Sequence, residues 1–239
     1  MITFSKRRII FLIMVLALCW MMFNFQYCSI KKNDAKVFVE YSAGTVKIKS
    51  TVSSIKIEED DINKVLVKID GNTKELTKGD EYTIKTENKA FITVPRNLDK
   101  IKIESVSGSI SAYDLSAKDI EINSVSGSIY GSDSNKPNEV LLNSVSGSIE
   151  YTSTTDKNIT AETVSGSANI KSHAENIKLK SVSGSLSLDN EDKNHSFSLT
   201  TVSGSWQYND QNGTGKIDIP NGDDGSIKAD TVSGSVKIY

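Results

Sequence analysis

The groups that could do chemistry are two histidines, His173 and His195, a large population of serines, and scattered carboxylates. A Ser–His nucleophile or a histidine metal pair needs its members within bonding reach. His173 and His195 follow different landmarks of the sequence at different distances, so they read as solvated connecting residues. Carbohydrate lyase or hydrolase chemistry needs acids clustered with Arg or Lys on one face. Beyond residue 32 the chain has one arginine, Arg96, and its acids are dispersed. Asp210-x-Asn212-x-Thr214-Gly215-x-x-Asp218 resembles the start of a calcium loop. Its twelfth position is Asn221, where a bidentate Glu is expected, and the stretch reads as a polar insertion. These residues point to no enzyme, no metal and no cofactor.

The elements that would position such groups are repetitive. Val-Ser-Gly-Ser recurs at 106–109, 125–128, 145–148, 164–167, 182–185, 202–205 and 232–235. The period is near 19 residues except for the last step, which spans 30. Frames such as IKIESVSGSI (101–110) and IKLKSVSGSL (177–186) alternate apolar and polar residues on both sides of the motif. That is strand periodicity. The phase changes within each repeat: Ile101 and Ile103 have one parity, Val106, Ile110 and Ala112 the other. A straight strand cannot bury both sets. Each repeat is therefore two short strands meeting at a corner, and the glycines Gly108, Gly127, Gly147, Gly166, Gly184, Gly204 and Gly234 are expected to turn it with a positive φ.

One repeat buries too little apolar surface to offset the entropy of ordering itself, so the repeats must stack. Seven coils at ~4.8 Å spacing make a rod of roughly 34 Å. The expected class is all-β: a right-handed parallel β-solenoid whose coils follow one another in chain order. Equivalent residues fall in columns. Glu104, Asn123, Asn143, Glu162, Lys180, Thr200 and Asp230 form an outward one, without adjacent acids. Asp114, Asp133, Ser153, Ser172, Asn190 and Asp210, eight after each Val, read as turn formers. The serines on either side of each glycine form hydroxyl ladders. Residues 100–239 hold the solenoid and residues 33–99 a β cap with degenerate coils. Within the latter, Thr51-Val52-Ser53-Ser54 looks like a decayed motif with Ser54 at the glycine position, and Gly44, Gly71 and Gly79 mark turns.

Residues 1–32 differ in composition. They contain both cysteines, all four methionines, five cations and no acid. The remainder is acidic and cysteine-free, which excludes a basic nucleic-acid binder and a disulfide scaffold. Ile9–Cys28 gives the twenty mostly apolar residues of a membrane span, with Lys6, Arg7 and Arg8 before it and Lys31 and Lys32 after. The expectation is a single-pass signal-anchor at the cell membrane with the rest outside. A cleaved secretory signal and a lipoprotein signal at Cys19 are the alternatives, and both also export the domain.

The run ITVPRNLDKIKIESVSGSISAYDL (92–115), followed by repeated SVSGSI, resembles the toast-rack domain family of bacteria, whose members also carry the name adhesin. The resemblance implies a single-stranded right-handed β-helix, often behind one membrane span and in some cases tied to envelope stress in Gram-positive bacteria. It implies no catalytic residues. Members often have Asp or Asn after the glycine, where this chain has Ser. The implied function is a non-enzymatic envelope-associated binding or scaffold module, with an envelope protein or a cell-wall glycan as partner. The alternative is a surface adhesin for glycan or host protein, and regular hydroxyls also raise ice binding. Between Val202 and Val232 the insertion Asn209–Gly225, with Asp210, Asp218, Asp223 and Asp224 against Lys216, is either a binding loop for a cationic partner or a cover for the last coil.

Overall fold

Inward-facing side chains alternate along each repeat and change parity between Ser105 and Gly108, so Ile101, Ile103, Ser105, Gly108, Ile110 and Ala112 all point into one core. The computed structural model describes residues 36–155, 157–190, 195–219 and 225–239. Along the chain the strands are β1 (Lys36–Ser42), β2 (Thr45–Ser50), β3 (Ile55–Asp60), β4 (Val65–Ile69), β5 (Asn72–Leu76), β6 (Asp80–Lys85) and β7 (Ala90–Pro95). Paired strands follow: β8 (Lys100–Ser105) and β9 (Ile110–Leu115), β10 (Asp119–Ser124) and β11 (Ile129–Asp133), β12 (Glu139–Ser144) and β13 (Ile149–Ser153). Next come β14 (Asn158–Thr163) and β15 (Ala168–Ser172), then β16 (Asn176–Ser181) and β17 (Leu186–Asp189). The chain ends with β18 (Ser196–Tyr208), β19 (Gln211–Ile219), β20 (Ser226–Thr231) and β21 (Val236–Ile238).

The first strands of the repeats form one parallel wall, in which β2, β8, β10, β12, β14 and β16 are successive neighbours. The second strands form the opposite wall, β7, β3, β9, β11, β13, β15 and β17. Isoleucine, valine and leucine fill the space between them, and Ile101, Ile103, Ile110 and Ile122 are fully buried. This is the expected all-β solenoid. Among the described residues no helix is long and apolar enough to cross a membrane, and the Ile9–Cys28 run lies outside them.

Three features of the stack differ from the sequence reading. Thr45–Ile57 is a full coil in register with Lys100–Ala112, in addition to the seven motif coils. Its Ser53, not Ser54, takes the glycine position, because Ser50 pairs with Ser105 and Ile55 with Ile110. The coils also do not follow chain order to the end. Strand β20 lies between β16 and β18, and β21 between β17 and the end of β18. The outward column accordingly runs Lys180, Asp230, Thr200. Finally, Gln211–Ile219 of the expected insertion loop is a strand. It pairs antiparallel with β18, from which it is separated by a turn at Asn209 and Asp210.

Both ends are closed by antiparallel strands. At the amino-terminal end β1 pairs with β2 and β6 with β1, while β4 and β5 extend the second wall beyond β7. The tight hairpins at Ala43-Gly44 and Asp70-Gly71 place both central residues at positive φ, the primed-turn geometry that matches strand twist. Strand β5 has no apolar alternation; four of its five residues are exposed and only Leu76 is buried.

Candidate functional site

The corner edge and the link edge of the solenoid divide the polar groups between them. At the corner the residue before each Val is buried, and in every motif coil but that of Ser144 it ties the bend to itself. The hydroxyls of Ser105 and Ser124 donate to the carbonyls of Gly108 and Gly127, while those of Thr163, Ser181 and Thr231 accept from the N–H groups of Gly166, Gly184 and Gly234. The next serine reaches one coil back. Ser126 donates to the Val106 carbonyl (3.0 Å), Ser146 to Val125 (3.2 Å), Ser165 to Val145 (3.3 Å) and Ser183 to Val164 (3.3 Å). These serines are exposed, and each is committed to stacking. The motif valines do not join the core as their parity suggested. They and the following serine both point outward at the bend, leaving Val106 half-buried and Val202 exposed.

The motif glycines also serve a purpose other than the expected one. None of them has a positive φ. A Cβ on Gly127 would lie within 3.0 Å of the Gly108 carbonyl group, and one on Gly147 would strike Gly127 in the same way. Glycine is needed because each coil rests its backbone on the one beneath. Ser53 shows the converse. No coil lies beneath it, and its hydroxyl donates to Thr86 O of the cap at 2.6 Å.

The link edge holds the carboxyls that burial raises. Asp133 is 3% exposed, and its Oδ1 accepts from the Thr154 N–H (2.7 Å) and hydroxyl (2.8 Å). Its Oδ2 faces the Tyr151 hydroxyl without a hydrogen bond of standard geometry. Burial raises the Asp133 carboxyl above its ordinary value, against the hydrogen bonds from Thr154 and the neighbouring Ser153 and Tyr151 hydroxyls. Tyr151 is wholly buried, and burial together with the nearby Asp133 and Glu59 carboxylates holds its proton firmly. It can sit there because it faces Gly131 on the neighbouring coil, where a methyl group would meet its ring and the Ala112 carbonyl. Glu59 is half-buried and accepts from the Ser116 N–H and hydroxyl, both at 2.6 Å. Burial raises its pKa, with Ser116 and Arg96 opposing and Asp114 assisting.

The column of turn formers is thereby corrected. Asp133, Ser153, Ser172 and Asn190 are buried in one inward row, which aligns with Leu115 rather than Asp114. Asp114 is an extra, exposed residue with φ 57°, at the bulge where β11 shifts register on β9. Asp210 lies in the exposed hairpin turn. His173 is exposed as expected, but His195 is 1% exposed and its Nε2–H donates to the Ala174 carbonyl at 3.0 Å. The two histidines are not brought together as a site. The calcium-like run is extended, with Asp218 bonded to Ser198 and Lys216, a shape that does not wrap a cation. Asp223 and Asp224 lie outside the described residues.

Chemically, this cluster can take up protons on acidification. It is poorly suited to catalysis: the tyrosine is a weak acid held neutral, and Asp133 and Tyr151 are closed to solvent. The outward face of the first wall carries ionised pairs instead. Glu121 bridges Lys102 (2.7 Å) and Lys100 (2.8 Å), Glu104 bridges Lys49 and Lys102, and Glu162 bridges Lys178 and Lys180. Burial pushes Glu121 upward, but Lys100, Lys102 and Asn123 pull it down to about 2.

The family described as Toastrack DUF4097 matches residues 25–238, and the chain belongs to that family. No curated relative and no solved structure matches it.

Proposed function

We propose that this Toastrack-family chain is a membrane-anchored, extracytoplasmic module of the bacterial cell envelope that binds or scaffolds without catalysing a reaction, and that it takes part in sensing envelope stress. The observation that carries the reading is the commitment of the corner serines. The exposed hydroxyls before the motif glycines hold coils together. The apolar run Ile9–Cys28 between basic flanks supports the anchor. Function then resides on the faces and ends of the rod, toward an envelope protein or a cell-wall glycan.

The test is chemical crosslinking in intact cells followed by identification of partners, together with protease added to protoplasts. The expected result is digestion of the domain from outside, a retained amino terminus and capture of envelope components. Protection of the domain from protease, or an amino terminus beginning near Ser29, defeats it. A second reading, a glycan-binding adhesin, draws on three exposed aromatics on the outward face of the second wall: Phe91, Tyr113 and Tyr130. Alanine at all three positions should abolish retention on cell-wall glycan under that reading, and unchanged retention removes it.

A further inference from the structure

The inserted coil has a consequence for assembly. The walls of its slot, β16–β17 on one side and β18 on the other, both precede it in the chain. Its filler, Ser226–Ile238, pairs with both walls throughout. Ile227 lies between Ile177 and Phe197, Ala229 between Leu179 and Leu199, and Val236 between Leu186 and Trp206. The corner repeats the order. A Cβ on Gly234 would strike the Gly184 carbonyl, and one on Gly204 would strike the Gly234 carbonyl. Ser233 donates to the Val182 carbonyl (3.3 Å) and Ser203 to Val232 (3.1 Å).

One local feature enforces the skip. The outer edge of β18 is covered by β19, so the filler cannot stack beyond it. When the filler leaves, the ladder edges exposed are those of the slot. They carry the same spacing and motif chemistry as every other pair of coils, and the filler supplies the same.

We propose that Ser226–Ile238 is an exchangeable coil, and that its slot accepts this segment from a second copy of the chain, giving a reciprocal coil-swapped dimer. The occupant is fixed by complementarity already present: a second copy brings the identical segment, and the swapped dimer recreates every ladder of the monomer. Monomer and dimer then differ chiefly in linker strain and concentration, the usual condition for swapping.

The test uses the full chain in mild detergent with Cys19→Ser and Cys28→Ser, so that introduced thiols stand alone. Lys178 and Lys228 are register partners across one wall of the slot. Copies carrying Lys178→Cys are mixed with differently tagged copies carrying Lys228→Cys, taken through partial unfolding and refolding, and oxidised. A single chain with both substitutions should close an internal disulfide. The expected result is a covalent dimer between the two tagged copies whose yield rises several-fold with protein concentration. Gly234→Val in the donor copy should suppress it. Replacing Lys228→Cys by Lys237→Cys, whose partners are Ser187 and Gln207, should give little product. Internal closure without any mixed dimer overturns the proposal, as does equal dimer yield from the Lys237→Cys donor. Failure of internal closure overturns the coil order on which it stands.

Discussion

The corner edge and the link edge are built from the same repeats, yet they behave as opposites. At the corner nearly every coil presents the same residues, and its glycine and the serine before that glycine are spent on the coil beneath. At the links no two coils agree, and there the fold buries an aspartate, a tyrosine and a histidine. Repetition is what stacking demands, because a parallel ladder requires equivalent backbone at every rung. Irregular residues gather where the second strands run out toward the links, as Tyr151 and Asp133 do near the ends of β13 and β11. Chemistry that is not structural must therefore be sought away from the motif that dominates the sequence.

The sharpest break of that comparison is at the corner. Gly147→Val should destabilise by about 3 kcal/mol or more, enough to unfold part of the stack, because its side chain has only the Gly127 backbone to enter. Ser53→Gly, at the equivalent position with no coil beneath, should cost about 1 kcal/mol through loss of the hydroxyl bond to Thr86. Urea unfolding of the two variants checks the order. Similar losses would mean that coil-on-coil contact is not what selects glycine.

At the link edge the largest effect belongs to Tyr151. Tyr151→Ala removes a fully buried ring and should cost about 3–5 kcal/mol on the scale of other large-to-small aromatic changes. Tyr151→Phe keeps the ring and removes a buried hydroxyl that makes no standard hydrogen bond, so it should be close to neutral. Thermal unfolding distinguishes ring from hydroxyl. A large loss in the phenylalanine variant would show that the contact with Asp133 carries stability.

Part of this contrast is legible in the amino-acid sequence. Seven copies of one motif with alternating flanks suffice for an all-β stack, and Asp70-Gly71 announces its hairpin. The purpose of glycine is not legible there. Periodicity reveals that the chain bends, but the obstacle is a carbonyl of another coil, some twenty residues away in sequence. Tyr151 and Asp133 leave a faint signal. Gly131 breaks an apolar position in one strand, and the register pairs it with a tyrosine in the next. The bulge at Asp114 conceals the rest, since one extra residue moves Asp133 from an apparent turn column into the core row. The inserted coil is hidden for a different reason. Identical motifs fit every rung equally, so the β19 hairpin is what discriminates, and strand β19 has an outward polar face that reads as loop.

Acidity separates the edges more gently. Burial raises Glu59 and Asp133, so the folded chain binds their protons more tightly than the unfolded chain does. Their contribution is fully present below the unfolded values of 4.5 and 3.8 and is lost as pH rises through the folded ones. Glu121 runs the other way. Its ion pairs contribute above 4.5, and that contribution is lost as pH falls toward about 2. Asp133→Asn should flatten the decline in stability on the rising side of pH 3.8, and Glu121→Gln should flatten the acid-side loss between 4.5 and about 2. Stability measured across that range for both variants is the check. If the two substitutions alter the same limb, the division between buried carboxyl and surface ion pair is wrong.

The smallest expected difference asks whether the corner hydroxyls matter one at a time. Ser126→Ala removes a bond to the Val106 carbonyl, but the Ser126 N–H still donates to that oxygen at 2.9 Å. The site is exposed, so water can take the place of the hydroxyl. The loss should be about 0.5 kcal/mol. Ser132→Ala at the link edge removes the acceptor for the Asp114 N–H (3.0 Å) and the donor to its carboxylate (3.2 Å). Asp114 stands in the left-handed region at φ 57°, where those two bonds help to hold it. That loss should be about 1 kcal/mol, larger than at the corner although the Ser132 hydroxyl belongs to no repeated hydroxyl column. Denaturant midpoints for the two alanine variants decide the order. If Ser126→Ala proves the more costly, the column of exposed hydroxyls acts cooperatively along the rod, and the corner is stabilised by the ladder as a unit instead of rung by rung.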